Sequence, residues 1–197
     1  MRVLAHFLLW QVGLAHAETQ TTEAERDCLV RHARGRRCLV EIGVWHGVTT
    51  SRLLDVMAAD GVLYAVDPFP AGRLGLSLQR CIARREVGKV RRGRVEWVRL
   101  TGADAGRAHA TRGRPPVDFL FVDGDHSYQG IQADWLAWSA VMAPLGIVAL
   151  HDTRPSPTRP LEGAGSVRYA RDVILRDPLF RSIDAIDSLT VLERLPT

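Results

Sequence analysis

Cys38-Leu39-Val40-Glu41-Ile42-Gly43-Val44-Trp45-His46-Gly47-Val48-Thr49-Thr50 is the stretch on which the fold turns. Its first five residues, mostly apolar, read as a buried strand, and Gly47 to about Met57 reads as a helix. Between them Gly43 and Gly47 let the backbone approach a ligand, and the helix start offers free N–H groups to an anion. The spacing is Gly-x-x-x-Gly rather than the dinucleotide fingerprint Gly-x-Gly-x-x-Gly. Taken alone it indicates only a nucleotide-type site.

Outward from this junction the same alternation continues. Upstream, Thr22-x-x-Glu25 is a capping box that predicts a helix to about Arg34, stopped by Gly35. Downstream, Val62 to Val66 reads as a strand, about Arg73 to Arg85 as a basic helical region, and Val95 to Arg99 as a third strand. Val117 to Val122 is a fourth strand, Tyr128 to Met142 a helix, and Gly146 to Leu150 a fifth strand. Thr153 to Gly165 is rich in Pro and Gly and reads as a loop, followed by a helix from Ser166 to Arg176. Two final strands, Arg181 to Ile186 and Leu189 to Arg194, flank a tight turn at Asp187-Ser188. Short apolar strands alternating with helices predict a parallel sheet covered on both faces. A chain of 197 residues suits one such domain.

Composition narrows the classes. A hydrophobic share of 46% with 24% charged residues is that of a globular protein, which argues against disorder. The net charge is +4, and Lys89 is the only lysine. The densest basic run, Arg84-Arg85 through Arg91-Arg92 and Arg94, has no interleaved aromatic platform, so nucleic-acid binding is not expected. Cys28, Cys38 and Cys81 form no Cys-x-x-Cys pair and fit free thiols in a reducing, cytoplasmic setting. At the N-terminus two readings stay open. Residues 1–17 have the outline of a secretory signal, ending Ala15-His16-Ala17, and equally of an amphipathic helix packed on the domain. The apolar stretch is too short to span a bilayer.

The chemistry-bearing residues gather at strand ends. Tyr64-Ala65-Val66-Asp67 closes the second strand with an acid, where doubly wound folds bind ribose hydroxyls. Val122-Asp123-Gly124-Asp125-His126-Ser127-Tyr128 and Leu150-His151-Asp152 set polar clusters at the ends of the fourth and fifth strands. N-capping by Asp125 or Ser127 accounts for single members and not for the set.

The order Glu-x-Gly-x-x-x-Gly, Val-Asp-Pro, Val-Asp-Gly-Asp-His-Ser-Tyr, Leu-His-Asp resembles the class I S-adenosylmethionine-dependent methyltransferases. It is most similar to the small-molecule O-methyltransferase branch with the cephalosporin-hydroxylase-like and macrolide-sugar methyltransferase families. The resemblance implies an α/β, Rossmann-like, doubly wound seven-stranded sheet with a C-terminal antiparallel hairpin. It implies a helical segment at 1–35, as a lid or packing helix, and a cofactor-binding domain at 36–197. Glu41, Gly43 and Gly47 would shape the S-adenosylmethionine loop, Trp45 would lie near the methionine end, and Thr49 would bond its carboxylate. Asp67 would take the ribose hydroxyls, Asp104 would lie near the adenine, and Asp123 would border the cofactor. In catechol-like relatives the acid matching Asp123 binds a divalent metal, and its partners fall at His151 and Asp152. Those relatives carry an acid in place of His151. A hard cation is therefore less suited, and two alternatives stand: a transition metal, or a metal-free site in which His151 orients substrate. The general base falls at His126.

The implied reaction is methyl transfer to a small-molecule hydroxyl, on a sugar or other natural product, by a chain that is monomeric or a homo-oligomer. The rivals are a non-catalytic S-adenosylmethionine-binding accessory protein and a Rossmann-type oxidoreductase.

Overall fold

The computed structural model describes residues 2–72, 75–157 and 159–196. Within the described residues, seven strands form one sheet: β1 (Cys38–Ile42), β2 (Val62–Val66), β3 (Arg94–Val98), β4 (Val117–Val122), β5 (Met142–Leu150), β6 (Phe180–Ile186) and β7 (Leu189–Arg194). Their order across the sheet is β3-β2-β1-β4-β5-β7-β6. The first five strands are mutually parallel, and β7 runs antiparallel to both β5 and β6. The expected α/β sheet with its terminal hairpin is therefore present. The hairpin turn falls at Asp187-Ser188, where Asp187 takes φ 47°.

The helices are α1 (Arg2–Gln11), α2 (Glu23–Ala33), α3 (Val48–Val56), α4 (Leu78–Val87), α5 (Gly102–Thr111), α6 (Tyr128–Trp138) and α7 (Gly165–Asp172). They cover the sheet on both faces, because strands β1, β4 and β5 bury mostly apolar side chains, Glu41 of β1 being the charged exception. One face packs Leu29, Leu53, Leu54 and Met57 on Leu39, Leu63, Phe119 and Ala149. The other packs Trp135, Trp138 and Tyr169 on Val40, Leu120 and Val148. Burial on this scale, about 25 cal/mol per Å² of apolar surface, drives the layering.

Several boundaries differ from the sequence expectation. The basic helix was expected from Arg73, which lies outside the described residues; α4 runs from Leu78, capped by the Ser77 hydroxyl accepting from Arg80 N–H. Helix α5 was not expected, because Gly102-Ala103-Asp104-Ala105-Gly106 offers little apolar periodicity; the Thr101 hydroxyl caps it, accepting from Asp104 N–H at 3.2 Å. Helix α6 stops at Trp138, and β5 begins at Met142 with an irregular pairing against β4 between Val117 and Phe119. In the Thr153 to Gly165 loop, Thr158 lies outside the described residues.

Helix α1 rests on α4: Trp10 Nε1 donates to Glu86 Oε1 at 3.1 Å and the Arg85 guanidinium lies over the Trp10 ring. Its outer face leaves Val3, Leu4, Leu8 and Leu9 about half exposed. No helix among the described residues is long and apolar enough to cross a membrane.

Candidate active site

The strand order reverses direction between β1 and β4, and open α/β sheets bind ligands at that switch point, beyond the carboxyl ends of the strands. A cavity of about 610 Å³ lies there, in the range of small-molecule sites. Gly43, Trp45, Thr49, Asp67, Asp123 and His126 all line it.

Gly43 is dictated by the crossing of two chains. Asp123 N–H donates to the Ile42 carbonyl at 2.8 Å and Gly43 N–H to the Val66 carbonyl at 2.9 Å, so three strand ends meet at one residue. Gly43 takes φ +88°, and a Cβ there would overlap the Asp123 carbonyl. Gly47 sits behind the cavity at φ +75°, with a Cβ position 3.1 Å from the Ala83 backbone, so it permits α3 and α4 to close together. As the N-cap of α3 it supplies no side-chain cap, which leaves the first N–H groups of the helix for a ligand.

Asp67 organises the loop. Its Oδ2 accepts Val44 and Trp45 N–H at 3.1 and 3.3 Å, and its Oδ1 accepts Phe69 N–H at 2.7 Å. Trp45 (φ 50°) and Phe69 (φ 45°) hold left-handed backbone on either side, a strain that such bonds help to sustain. Trp45 is part-exposed on the cavity rim. His46 instead points away: it is buried, accepts Glu18 N–H on Nδ1 at 3.0 Å and stacks on His6. That contact carries Glu18, Thr19 and Gln20 onto the cavity wall. Burial lowers the His46 pKa to about 4.

Glu41 lies beneath the cavity, fully buried, beside the Thr50 hydroxyl. Burial raises its pKa to about 8, opposed by the Thr50 hydroxyl and aided by the charges of Asp123 and Asp67. Between the ordinary value of 4.5 and 8 the unfolded chain ionises Glu41 while the folded chain keeps it protonated. Stability is therefore lost as pH rises through that window. Glu41→Gln removes the titration, so its melting temperature is expected to exceed the parent's by a margin that grows from pH 5 to pH 8, worth up to about 4 kcal/mol. Thermal scans across that range check this; a margin independent of pH contradicts it.

Asp123 and His126 at the cavity floor meet His151 and Asp152 just beneath it. His151 Nδ1 stands 2.7 Å from Asp123 Oδ1 and 3.7 Å from Asp152 Oδ1. His126 Nε2 stands 3.4 Å from Asp123 Oδ1 and 3.9 Å from Asp152 Oδ2. The His151 side chain has no exposure, whereas that of His126 is 37% exposed and faces the cavity. Burial opposes ionisation of Asp123, but His126 and His151 hold its pKa below the ordinary range. Burial likewise opposes the charge on His151, and Asp123 and Glu25 raise its pKa to about 10. Asp152, at φ 53°, is paired through Oδ2 with Arg159 Nη1 at 2.5 Å.

The donor set suits a metal ion. Asp123, His126 and His151 each bring one donor atom within 4.8 Å of the others; Asp152, which the sequence reading put in the ligand set, is outside this group and stands 3.7 Å from His151 Nδ1. His151 Nδ1 is directed at Asp123, and Asp152 Oδ1, buried 3.7 Å from it, lacks a hydrogen-bond partner. An unpartnered buried carboxylate oxygen beside an imidazole nitrogen and a second carboxylate fits a shared cation.

One placement departs from the sequence reading. Asp104 does not reach the cavity: it is exposed on α5, accepting the Thr101 hydroxyl at 2.7 Å and pairing with Arg107 at 2.6 Å. The residue at that end is Asp134 of α6, buried beside Gly102 and Gly124 and lining the cavity. Burial, then the Asp125 charge, raises its pKa to about 6. Asp134 sits mid-helix, and a lone helical Asp gives no sequence signal of its own. Glu25 and Arg159 were also missed as neighbours of the site, since each lies far along the chain or in an irregular loop.

Solved structures share this architecture at low identity. An O-methyltransferase from Bacillus cereus, in complex with S-adenosylhomocysteine, is 16% identical, with 100% of this chain and 91% of that one covered and a TM-score of 0.64. An O-methyltransferase from Streptomyces achromogenes involved in tomaymycin synthesis, in complex with S-adenosylmethionine, is 15% identical, with 98% and 88% covered and a TM-score of 0.64. An rRNA methylase from Streptococcus thermophilus is 11% identical, with 92% and 100% covered and a TM-score of 0.58. These likenesses establish the fold and do not choose an acceptor. The model of a family described as a methyltransferase domain matches residues 40–153, from the first strand of the sheet to just past His151 and Asp152. That is over half the chain and every strand end that borders the cavity, and the chain belongs to this methyltransferase-domain family.

Proposed function

We propose that the protein is an S-adenosylmethionine-dependent O-methyltransferase acting on a small-molecule hydroxyl. One observation carries the reading: a single cavity joins a glycine-turned loop and a ribose-type acid, Asp67, to a proton-accepting cluster at Asp123 and His126. When bound, S-adenosylmethionine supplies the electrophilic methyl group. The uncapped start of α3, with Thr49, receives the methionine carboxylate, and Asp67 receives the ribose hydroxyls. Trp45 covers the methionine end. His126 takes the acceptor hydroxyl proton, and the Asp123 carboxylate 3.4 Å away stabilises the resulting charge on the ring. Methyl transfer to a positioned nucleophile needs alignment more than covalent help, so placement supplies much of the rate.

Asp123, His151 and Asp152 would hold a divalent ion, which would polarise the acceptor oxygen. A mixed imidazole and carboxylate set favours Mn²⁺, Fe²⁺, Co²⁺ or Zn²⁺ over Mg²⁺. Arg159 ties Asp152 to the Gln20 carbonyl at 2.6 Å, so the N-terminal segment and the loop after β5 would close over the cavity together as a lid.

Asp67→Ala is expected to weaken S-adenosylhomocysteine binding by about 1.5–3 kcal/mol through loss of charge-assisted hydrogen bonds. Calorimetric titration checks this, and unchanged affinity removes Asp67 from the site. Transfer of labelled methyl groups to a panel of hydroxylated small molecules tests the reaction itself. Labelled ether products support the reading; cofactor binding with no product from any acceptor favours an accessory role.

A further inference from the structure

We propose that Glu25 is a positioning residue of this site: its buried carboxylate fixes the His151 ring so that Nδ1 faces Asp123 and Asp152, and thereby sets the affinity for a divalent metal ion. The proposal rests on the reading of Asp123, His151 and Asp152 as the ligand set. Glu25 lies outside residues 40–153, so family membership assigns it nothing.

A capping box needs only one thing from its glutamate, a bond to the backbone N–H of the cap residue, and such residues ordinarily sit at the surface. Glu25 does this, with Oε2 accepting Thr22 N–H at 2.8 Å, yet it is fully buried. Its Oε1 accepts both the N–H and the hydroxyl of Ser188, at 2.9 and 2.7 Å, from the turn between β6 and β7. Its Oε2 also stands 3.3 Å from His151 Nε2. Burying a carboxylate so completely is costly unless it is bonded and paired, and here both conditions are met from three separate chain segments.

The consequence lies on the far side of the ring. With Nε2 engaged by Glu25, Nδ1 is the nitrogen left to face the two aspartates, 2.7 Å from Asp123 Oδ1 and 3.7 Å from the unpartnered Asp152 Oδ1. A carboxylate behind a metal-binding imidazole fixes its tautomer and orientation and raises its basicity as a ligand, and losing such a partner typically costs 10–100-fold in metal affinity. The cap of α2 thus doubles as the support of a ligand 126 residues away.

The test is calorimetric titration of the full chain with Mn²⁺, and separately with S-adenosylhomocysteine. His151→Ala should abolish the Mn²⁺ site, which assigns the heat to this cluster. Glu25→Gln, nearly isosteric, should weaken Mn²⁺ about 10–100-fold and leave S-adenosylhomocysteine affinity unchanged. Thr22→Ala removes the other half of the capping box without touching His151; it should lower helix stability and keep Mn²⁺ affinity within about twofold of the parent. Should Glu25→Gln fail to fold, Ser188→Ala, which loosens the same carboxylate, should show a smaller loss in the same direction. Equal Mn²⁺ affinity in the parent and Glu25→Gln overturns the proposal. So does a parent chain that binds S-adenosylhomocysteine but no Mn²⁺, an outcome that leaves the methyl-transfer reading standing. Absence of S-adenosylhomocysteine binding strikes that reading instead, and the Mn²⁺ comparison still decides the role of Glu25.

Discussion

Replacing His126 with alanine is expected to lower turnover by about 10²–10⁴-fold while S-adenosylhomocysteine affinity stays near that of the parent. The split follows from position. His126 follows β4 at the cavity floor, its ring part-exposed and its Nε2 between Asp123 and Asp152. It makes none of the backbone contacts that shape the Gly43 to Thr49 loop. Its loss removes the proton acceptor and leaves that loop intact. His151 is no substitute, because its side chain has no exposure and both ring nitrogens face carboxylates. Steady-state kinetics with cofactor titration on the same preparation measure both quantities. Normal turnover in the variant overturns the base assignment. Equal losses in turnover and cofactor affinity make His126 a binding residue instead.

Gly43→Ala is expected to be the most damaging single methyl group in the site. Its backbone at φ +88° disfavours any L side chain, and the new Cβ would overlap the Asp123 carbonyl. That carbonyl cannot retreat cheaply, because Asp123 N–H is bonded to Ile42 in the β1–β4 ladder. Strain and overpacking together are expected to cost about 3–5 kcal/mol, a large part of the ~5–15 kcal/mol that holds a domain folded. For a domain of this size that lowers the melting temperature by roughly 10 °C. Cofactor binding should fall with it, since the β1–α3 loop and the β4 end would both move. Thermal and denaturant unfolding check the prediction. A melting temperature within about 2 °C of the parent contradicts the described crossing of the two strand ends.

The parts of this architecture that were legible in the sequence are those with local causes. The strand at Cys38 to Ile42, the glycine turn, the acids closing β2 and β4, and the hairpin around Asp187-Ser188 each follow from periodicity or turn chemistry within a few residues. Helix α5 was not legible, because Gly102 to Gly106 has the composition of a loop and its one clear signal, the Thr101 cap, is short. That gap also misplaced Asp104. Without the helix its acid was free to be drawn toward the adenine end, whereas the helix turns it outward to Arg107. Asp134, which does line that end, owes its position to the packing of α6 against α5, a contact no local pattern encodes. Glu25 shows the same limit more sharply. Its capping role is written in Thr22-x-x-Glu25, but its approach to His151 exists only once α2 and the end of β5 lie together.

The cavity at the β1–β4 switch point is proposed to bind S-adenosylmethionine. Calorimetric titration of the full chain with S-adenosylmethionine, S-adenosylhomocysteine and NAD tests it most directly. Micromolar, one-to-one binding of the two adenosyl sulfur compounds is expected, with no measurable heat from NAD and a clear loss for both ligands in Asp67→Ala. Binding of NAD in preference to either sulfur compound, or no binding of any of the three, would contradict it.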